Sequence, residues 1–461
     1  MKAKITYRCK ECEYQTNKWV GRCPQCGEWN SFEEYVTGTT KAKASRLEQW
    51  DKKEAKPLYS VESSESHRII TGIGEFDRVM GGGIVRDSVT ILTSPPGGGK
   101  STLTLHIAQK AAKQGLKVLY ASGEESSSQI KNRADRILEE IPSNIWILAS
   151  TSMDDVLEAI KQLDVDLVII DSIQTFTLKE FLPARAGNPT QTMECAGELV
   201  QCAKSAQRQR AVIMIGQMNK NDEIAGLRSL EHLVDTVLVL EGEKDGELRS
   251  MVATKNRFGS TGETGFFSMT EAGLISIDNP SEYFMTKRDK ADVVSGSAIT
   301  VIREGSRPFV LEIESLVSNS FTPYPSRISE NMKKDQMNTL ISILEQRGGI
   351  PLYDKNVVIK AMGGMKTREQ AGNLAVIMSI VSSVWNKPIP SDWAFIADVG
   401  LTGELKRVPS MELRIKELDR MGFDKVIVPK GSLRQLQWQH VAITEFKTLR
   451  QVIDAVFSKK G

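Results

Sequence analysis

Residues 94–102, Ser-Pro-Pro-Gly-Gly-Gly-Lys-Ser-Thr, constrain the fold more than any other stretch of the chain. They follow the phosphate-binding pattern Gly-x-x-x-x-Gly-Lys-[Ser/Thr], with Ser94 standing at the first glycine. Ahead of them, residues 88–93 form a short apolar run of strand type. Behind them, Leu103, Ile107 and Ala111 fall at i, i+4 and i+8, one helical stripe that ends at Gly115. Strand, glycine loop and helix is the geometry a bound phosphate requires. Glycines let backbone N–H groups close around it, and the helix N-terminus adds a favourable field. In that geometry Lys100 reaches the β- and γ-phosphates and Ser101 ligates Mg²⁺. Ser94, Pro95, Pro96, Gly97, Gly98, Gly99 and Thr102 complete the loop. If position 94 demands a positive φ, its serine is strained, and nucleotide affinity or turnover is expected to suffer.

The 461 residues are enough for roughly three domains. With 40% apolar and 26% charged residues the composition is ordinary for a globular protein. A net charge of +2 confines any nucleic-acid binding to local patches. No long apolar run reads as a membrane span, and residues 1–9 lack an apolar signal core, so a cytoplasmic site is expected. Residues 1–36 read as a small cysteine unit. Residues 37–66, rich in Thr, Ser, Lys and Glu, read as a linker. The segment 67–275 is α/β, and 276–461 is a second α/β region. Within 67–275, strands are predicted at 89–93, 117–122, 145–149, 167–171, 211–216 and 236–241. Helical stretches separate most of them, which implies a mainly parallel sheet. A last pair is predicted at 248–254 and 265–270.

Cys9-x-x-Cys12 and Cys23-x-x-Cys26 are two knuckles with ten residues between them. Four thiolates at this spacing suit a closed, tetrahedral, structural zinc site. A unit of this size cannot build a sufficient core alone, so a metal staple is physically required. Trp19 and Trp29 either pack around the metal or contact a partner.

Leu167-Val-Ile-Ile-Asp171 is an apolar strand ending in a carboxylate, which would hold Mg²⁺ directly or through water. Tyr120-Ala-Ser-Gly-Glu-Glu125 follows another strand, taken as adjoining the phosphate loop. Its acids suit a general base for the attacking water, Glu124 first and Glu125 second, although acids also decorate helix N-termini. Gln217 ends the strand at 211–216, where an amide can sense the γ-phosphate or serve as a plain turn residue.

Together these residues resemble the bacterial RadA family, a branch of RecA-like ATPases. Residues 68–83 look like that family's lead-in to the phosphate loop, and Lys255-Asn-Arg-Phe-Gly259 matches its signature pentapeptide. The four-cysteine unit fits as well, and the C-terminal third is similar to the family's non-proteolytic Lon-like domain. The resemblance covers nearly the whole chain. It implies a zinc ribbon, a RecA-like core with a mainly parallel sheet, and a Lon-protease-like α/β domain. It also implies ATP, Mg²⁺ and Zn²⁺ as cofactors and a ring, expected to be a homohexamer, with ATP between neighbouring subunits. Lys255 and Arg257 would then face the next subunit's γ-phosphate. The implied activity is ATP-driven movement on single-stranded and branched DNA, extending heteroduplex by branch migration in concert with the RecA recombinase. Lys179, Arg185, Lys220 and Arg228 lie in segments that would face the DNA channel.

The chain departs from the family at Ser94 and at Gln217, where a histidine is expected. A Lon-type protease needs a serine activated by lysine. By local alignment Ala371 takes the serine's place and Arg414 the lysine's, and arginine stays protonated. Proteolysis is therefore not expected. The competing expectation is an ATP-regulated interaction or clock-type ATPase of the same fold without DNA translocation.

Overall fold

In the computed structural model of the chain, the phosphate-loop strand Val89–Ser94 lies at the centre of a nine-stranded sheet. The structure describes all residues except 1–3, 10, 11, 13, 17, 19, 30, 38–56, 61–67, 206, 218–226, 243–245, 287–293, 366–368, 433–437 and 458–461. Trp19 therefore lies outside the described residues.

Strands Lys4–Cys9, Gln15–Thr16 and Phe32–Thr37 form a small antiparallel sheet at the N-terminus. Its apolar core is slight: buried Cys9, Cys23 and Phe32, with Tyr7, Cys12 and Val20 against them. Trp29 is 68% exposed, with the Arg22 guanidinium 5.7 Å from its ring centroid.

The large sheet runs, edge to edge, Gly273–Ser276, Thr264–Thr270, Leu248–Asn256, Thr236–Glu241, Val89–Ser94, Ala211–Gln217, Leu167–Asp171, Val118–Ser122, Ile145–Ala149. The last six are parallel and the first three continue as antiparallel ribbons. All eight strands read from the sequence pattern are present. The ninth, Gly273–Ser276, is four residues long and has no run of its own to announce it.

Strand residues alternate between two apolar layers, as a doubly covered sheet requires. Leu92, Tyr120 and Ile169 pack on one face against Leu103, Ile107 and Ala111 of the helix Lys100–Lys113. Ile91, Leu119 and Ile170 pack on the other against helices Met153–Leu163 and Pro189–Ala203. Local signals start these helices. Ser126 and Gln129 form a capping box before Ser127–Ile137. Ser152 caps Met153–Leu163, and Asn188 with Pro189 opens Pro189–Ala203.

The C-terminal region is a seven-stranded mixed sheet, ordered Arg327–Ser329, Lys355–Ala361, Arg307–Asn319, Ser297–Glu304, Trp393–Phe395, Lys425–Pro429, Ala442–Phe446. The apolar helix Asn373–Trp385 covers it, with ten buried residues. The two α/β regions share one apolar joint. Phe266 of the first meets Phe284 and Phe309 edge-on, with ring centroids 5.6 and 5.3 Å apart. Beside it, buried Glu75 accepts from Arg78, Arg307 and the Phe266 N–H.

Candidate active site

The parallel register gathers the site along one sheet edge. Ser94 pairs with Gln217, and Asp171 pairs with Ser122, so the ends of four neighbouring parallel strands line up. Loops leaving these ends carry Lys100, Glu124 and the segment after Asp171, which is where open α/β sheets hold ligands.

In the phosphate loop Gly97 and Gly99 take φ of +80° and +96°, and a Cβ on Gly97 would meet nothing within 4 Å. The helix starting at Lys100 has no side-chain cap, so its first N–H groups remain for an anion. Ser94 is not strained: it ends the strand in extended conformation and is absent from the positive-φ residues. The demand for a positive φ, and the loss of affinity expected from it, therefore has no basis in the backbone. The Ser94 side chain instead turns under the loop. Its Oγ donates to the Pro95 carbonyl at 2.7 Å and accepts from Lys100 Nζ at 2.9 Å. A Cβ on Gly98 would come within 2.4 Å of that Oγ, so this serine makes the middle glycine obligatory. Lys100 also donates to the Ser94 carbonyl at 3.0 Å. Burial lowers the Lys100 pKa, while Asp171 and Glu124 oppose the shift, so both acids act on the same ammonium. The strand pair 264–276 roofs the loop: a Cβ on Gly99 would strike Leu274 and Met269, and His106 meets the Ala272 carbonyl at 3.2 Å.

Glu124 and Glu125 separate cleanly. Glu125 is tied to Arg133. The Glu124 carboxylate accepts from Gln217 Nε2 at 2.8 Å and from the Ser172 hydroxyl, both at the loop-side edge. The strand that leads to Glu124 does not adjoin the phosphate-loop strand, contrary to the expectation. Strands Ala211–Gln217 and Leu167–Asp171 lie between them, and only the loop at 123–126 brings Glu124 back. Sequence order says which strands exist but not their lateral order, which is set by how helices pack between them. Gln217 is the last strand residue, not a turn.

Asp171 is 5% exposed, and its Oδ2 accepts from the Tyr120 hydroxyl at 2.7 Å. Burial and the Asp171 carboxylate push the Tyr120 phenol well above its usual value, which keeps it a donor. The Asp171 carboxylate and the Ser101 hydroxyl are hard oxygen donors of the type Mg²⁺ takes. Tyr120, Ser172 and Asp235 were not singled out in the sequence. A tyrosine two residues before a strand end, facing the same side as Asp171 of the next strand, is a signal only once the pairing is known.

Lys255 and Arg257 stand at the other end of the sheet. Asn256 pairs with Thr236, and Thr236 with Thr90, four residues before Ser94. At about 3.3 Å per residue that is roughly 13 Å along the strand, so neither cation shares an edge with its own phosphate loop. Lys255 Nζ donates to the Glu231 carbonyl. Arg257 pairs with buried Asp235 at 3.0 Å and keeps a guanidinium side chain that is 52% exposed. Asp235 also holds Lys204 at 2.8 Å and the Val89 N–H at 3.1 Å. The pentapeptide docks on residues 68–83. Arg68 donates to the Phe258 carbonyl at 2.9 Å and to Gly83 at 3.1 Å, and a Cβ on Gly259 would meet Gly81 Cα at 3.1 Å. The two stretches that carried the resemblance are thus one packed unit.

Lys179 and Arg185 are exposed on the segment between Asp171 and the helix Pro189–Ala203. Buried Gln191 stitches that segment down through Leu178 and Ala184. Lys220 lies outside the described residues. Arg228 falls in the helix Leu227–Leu233, and its side chain is outside them as well.

The four cysteine sulfurs lie within 4.8 Å of one another, with Cys9–Cys26 at 3.6 Å and Cys12–Cys23 at 3.5 Å. Tetrahedral zinc with Zn–S near 2.3 Å spaces sulfurs about 3.8 Å apart, and none of the four is in a disulfide. The residues fit the ion.

In the C-terminal region Ala371 is fully buried among Val301, Met411 and Ile415. Arg414 is fully buried too. It donates to the Val301 carbonyl at 2.7 Å, to Pro409 at 3.1 Å and to both oxygens of Glu369. A serine nucleophile and a titratable base are both absent from these two positions.

Residues 7–34 match the rubredoxin metal binding domain family, and residues 55–223 match the AAA domain family. The second match begins inside the stretch read as a linker. The DNA repair protein RadA of Streptococcus pyogenes serotype M3 (strain ATCC BAA-595 / MGAS315) is 39% identical over 458 residues, covering 99% of this chain and 100% of that protein. The chain belongs to the RadA family. The RadA proteins of Bacillus subtilis (strain 168) and Pseudomonas aeruginosa are 39% and 38% identical, over 94% and 99% of this chain and equal shares of their own. Among solved structures, the RadB recombinase is 22% identical, covering 45% of this chain and 98% of that one, with a TM-score of 0.36. RadA membership agrees with the four-cysteine ribbon and the ATPase core described above. Among the described residues, no helix is long and apolar enough to cross a membrane.

Proposed function

We propose that this RadA-family chain is an ATP-driven DNA motor of recombination and repair, working as a hexameric ring on single-stranded and branched DNA. It would drive branch migration together with the RecA recombinase. The observation that carries the reading is the separation of Lys255 and Arg257 from their own phosphate loop, with both at the opposite sheet edge. Cations so placed serve hydrolysis only in a neighbour, which makes subunit assembly part of the chemistry.

Within one interface, Lys100 and the glycine loop bind the β- and γ-phosphates. Ser101 and Asp171 hold Mg²⁺, which screens the phosphate charge when bound. Glu124, aimed by Gln217 and Ser172, accepts the proton of the attacking water. Gln217 leads directly into residues 218–226, so loss of the γ-phosphate at Glu124 passes to that part of the chain. Exposed Lys179 and Arg185 contribute the described part of a basic channel, multiplied around the ring. The four-cysteine ribbon is a zinc-stapled recognition unit. The C-terminal domain, Lon-like in pattern, acts as an assembly scaffold because Ala371 and Arg414 supply no protease chemistry.

The test is ATP hydrolysis by the purified chain titrated with single-stranded DNA. Stimulation by single strands is expected. Hydrolysis indifferent to DNA would replace the motor by an ATP-regulated interaction protein of the same fold.

A further inference from the structure

Tyr120 has no role in the reading above, yet its phenol is built into the site. The residue is 1% exposed and donates to Asp171 Oδ2 at 2.7 Å. Strand register explains the contact. Ser122 lies opposite Asp171 and Tyr120 opposite Ile169, so Tyr120 sits two residues back on the same face and its ring spans the diagonal. That face carries the phosphate-loop helix. Fully buried Thr104 of that helix directs its hydroxyl back to the Lys100 and Ser101 carbonyls, at 3.1 and 3.2 Å.

We propose that Tyr120 is a positioning residue for the metal carboxylate: its hydroxyl fixes the Asp171 rotamer by binding Oδ2 and leaves Oδ1 for the divalent cation. A carboxylate at a bare strand end rotates about χ1 and χ2, and a buried donor on one oxygen removes that freedom. A phenylalanine would fill the core equally well, so packing alone does not account for a hydroxyl aimed at a carboxylate inside a sheet–helix layer. The inference rests on the reading of Asp171 as the magnesium carboxylate.

The experiment measures affinity of the full-length chain for a fluorescent ATP analogue, first in EDTA and then across a Mg²⁺ titration. In Tyr120→Phe the EDTA affinity is expected to match the parent, while the half-saturating Mg²⁺ concentration rises about tenfold, the usual effect of losing a partner behind a metal ligand. Asp171→Asn, run alongside, raises it at least as far. Parental magnesium dependence in Tyr120→Phe with a raised value in Asp171→Asn overturns the inference and leaves Asp171 in place. An unchanged value in Asp171→Asn overturns both. Equal loss of affinity with and without Mg²⁺ in Tyr120→Phe reduces the residue to packing and also overturns it. If Tyr120→Phe loses its cooperative melt, replacing Tyr120 with p-aminophenylalanine or with p-methylphenylalanine decides: a higher magnesium requirement for the methyl ring than for the amino ring supports the contact with Asp171, and equal requirements refute it.

Discussion

The two α/β domains place charged residues beside the ends of buried strands, and they use them in opposite ways. In the ATPase domain Lys100, Asp171 and Glu124 converge at one sheet edge, each held by partners on only part of its surface. Lys100 donates to three oxygens of the phosphate loop itself, which a bound phosphate can replace, and Asp171 accepts from Tyr120 through Oδ2. In the C-terminal domain Arg414 is fully buried and spends its guanidinium on Glu369 and two backbone carbonyls. Burial runs from exposed Glu124 to fully enclosed Arg414, and the first arrangement makes a site where the second makes a strut. The difference is whether the partners can give way to a ligand: the loop oxygens on Lys100 lie where a phosphate would arrive, whereas Arg414 and Glu369 are closed off with each other.

Four variants break or sharpen that contrast. The largest effect is expected for Lys100→Ala, which removes the phosphate cation and should lower ATP turnover by at least about 10³-fold in a steady-state assay; residual turnover near the parent would dissolve the site. Next is Lys255→Ala, for which DNA-stimulated hydrolysis should drop by roughly 10²- to 10³-fold with nucleotide affinity preserved. Mixing Lys255→Ala subunits with Lys100→Ala subunits should recover hydrolysis above either alone, because some interfaces then hold both intact halves. Mixtures no better than their parts would end the trans role. Third, Arg414→Met should cost about 3 kcal/mol in urea unfolding, since it leaves two carbonyls without their donor and Glu369 with the Arg303 N–H in place of a guanidinium, while ATP hydrolysis per folded molecule stays parental. A loss of activity greater than the loss of folded protein would make Arg414 more than a strut. The smallest change belongs to Ser94→Gly. With extended backbone at position 94, there is no strain to relieve, and turnover should stay within about threefold, near the ~0.7 kcal/mol backbone cost of glycine itself. A large gain would revive strain at the first loop position.

Much of this was legible without coordinates because it is local. The glycine–lysine–serine run, the apolar strand ending at Asp171 and the paired cysteine knuckles each carry their chemistry within a few residues. The full-length RadA relationship agrees with the family those motifs suggested. What escaped was pairwise and lateral. The order of Glu124 before Glu125 gains a physical reason only when one is seen turned to Gln217 and the other to Arg133. The strain feared at Ser94 depended on a dihedral angle, which a residue name does not supply.

The amino-acid sequence by itself determined which groups are present and which elements carry them: a phosphate loop opening a helix, carboxylates at strand ends, four thiolates at zinc spacing, and an alanine and an arginine where a protease needs serine and lysine. Only the tertiary structure decided which groups meet. Strand order and register bring Gln217 beside Ser94, set Tyr120 against Asp171, carry Lys255 and Arg257 away from their own phosphate loop, and bury Arg414 on Glu369. The physical reason is that motif chemistry follows from bonding along the chain. Sharing of hydrogen bonds and charges follows from contacts between residues far apart in it, and those are settled only when the sheet closes and its layers pack.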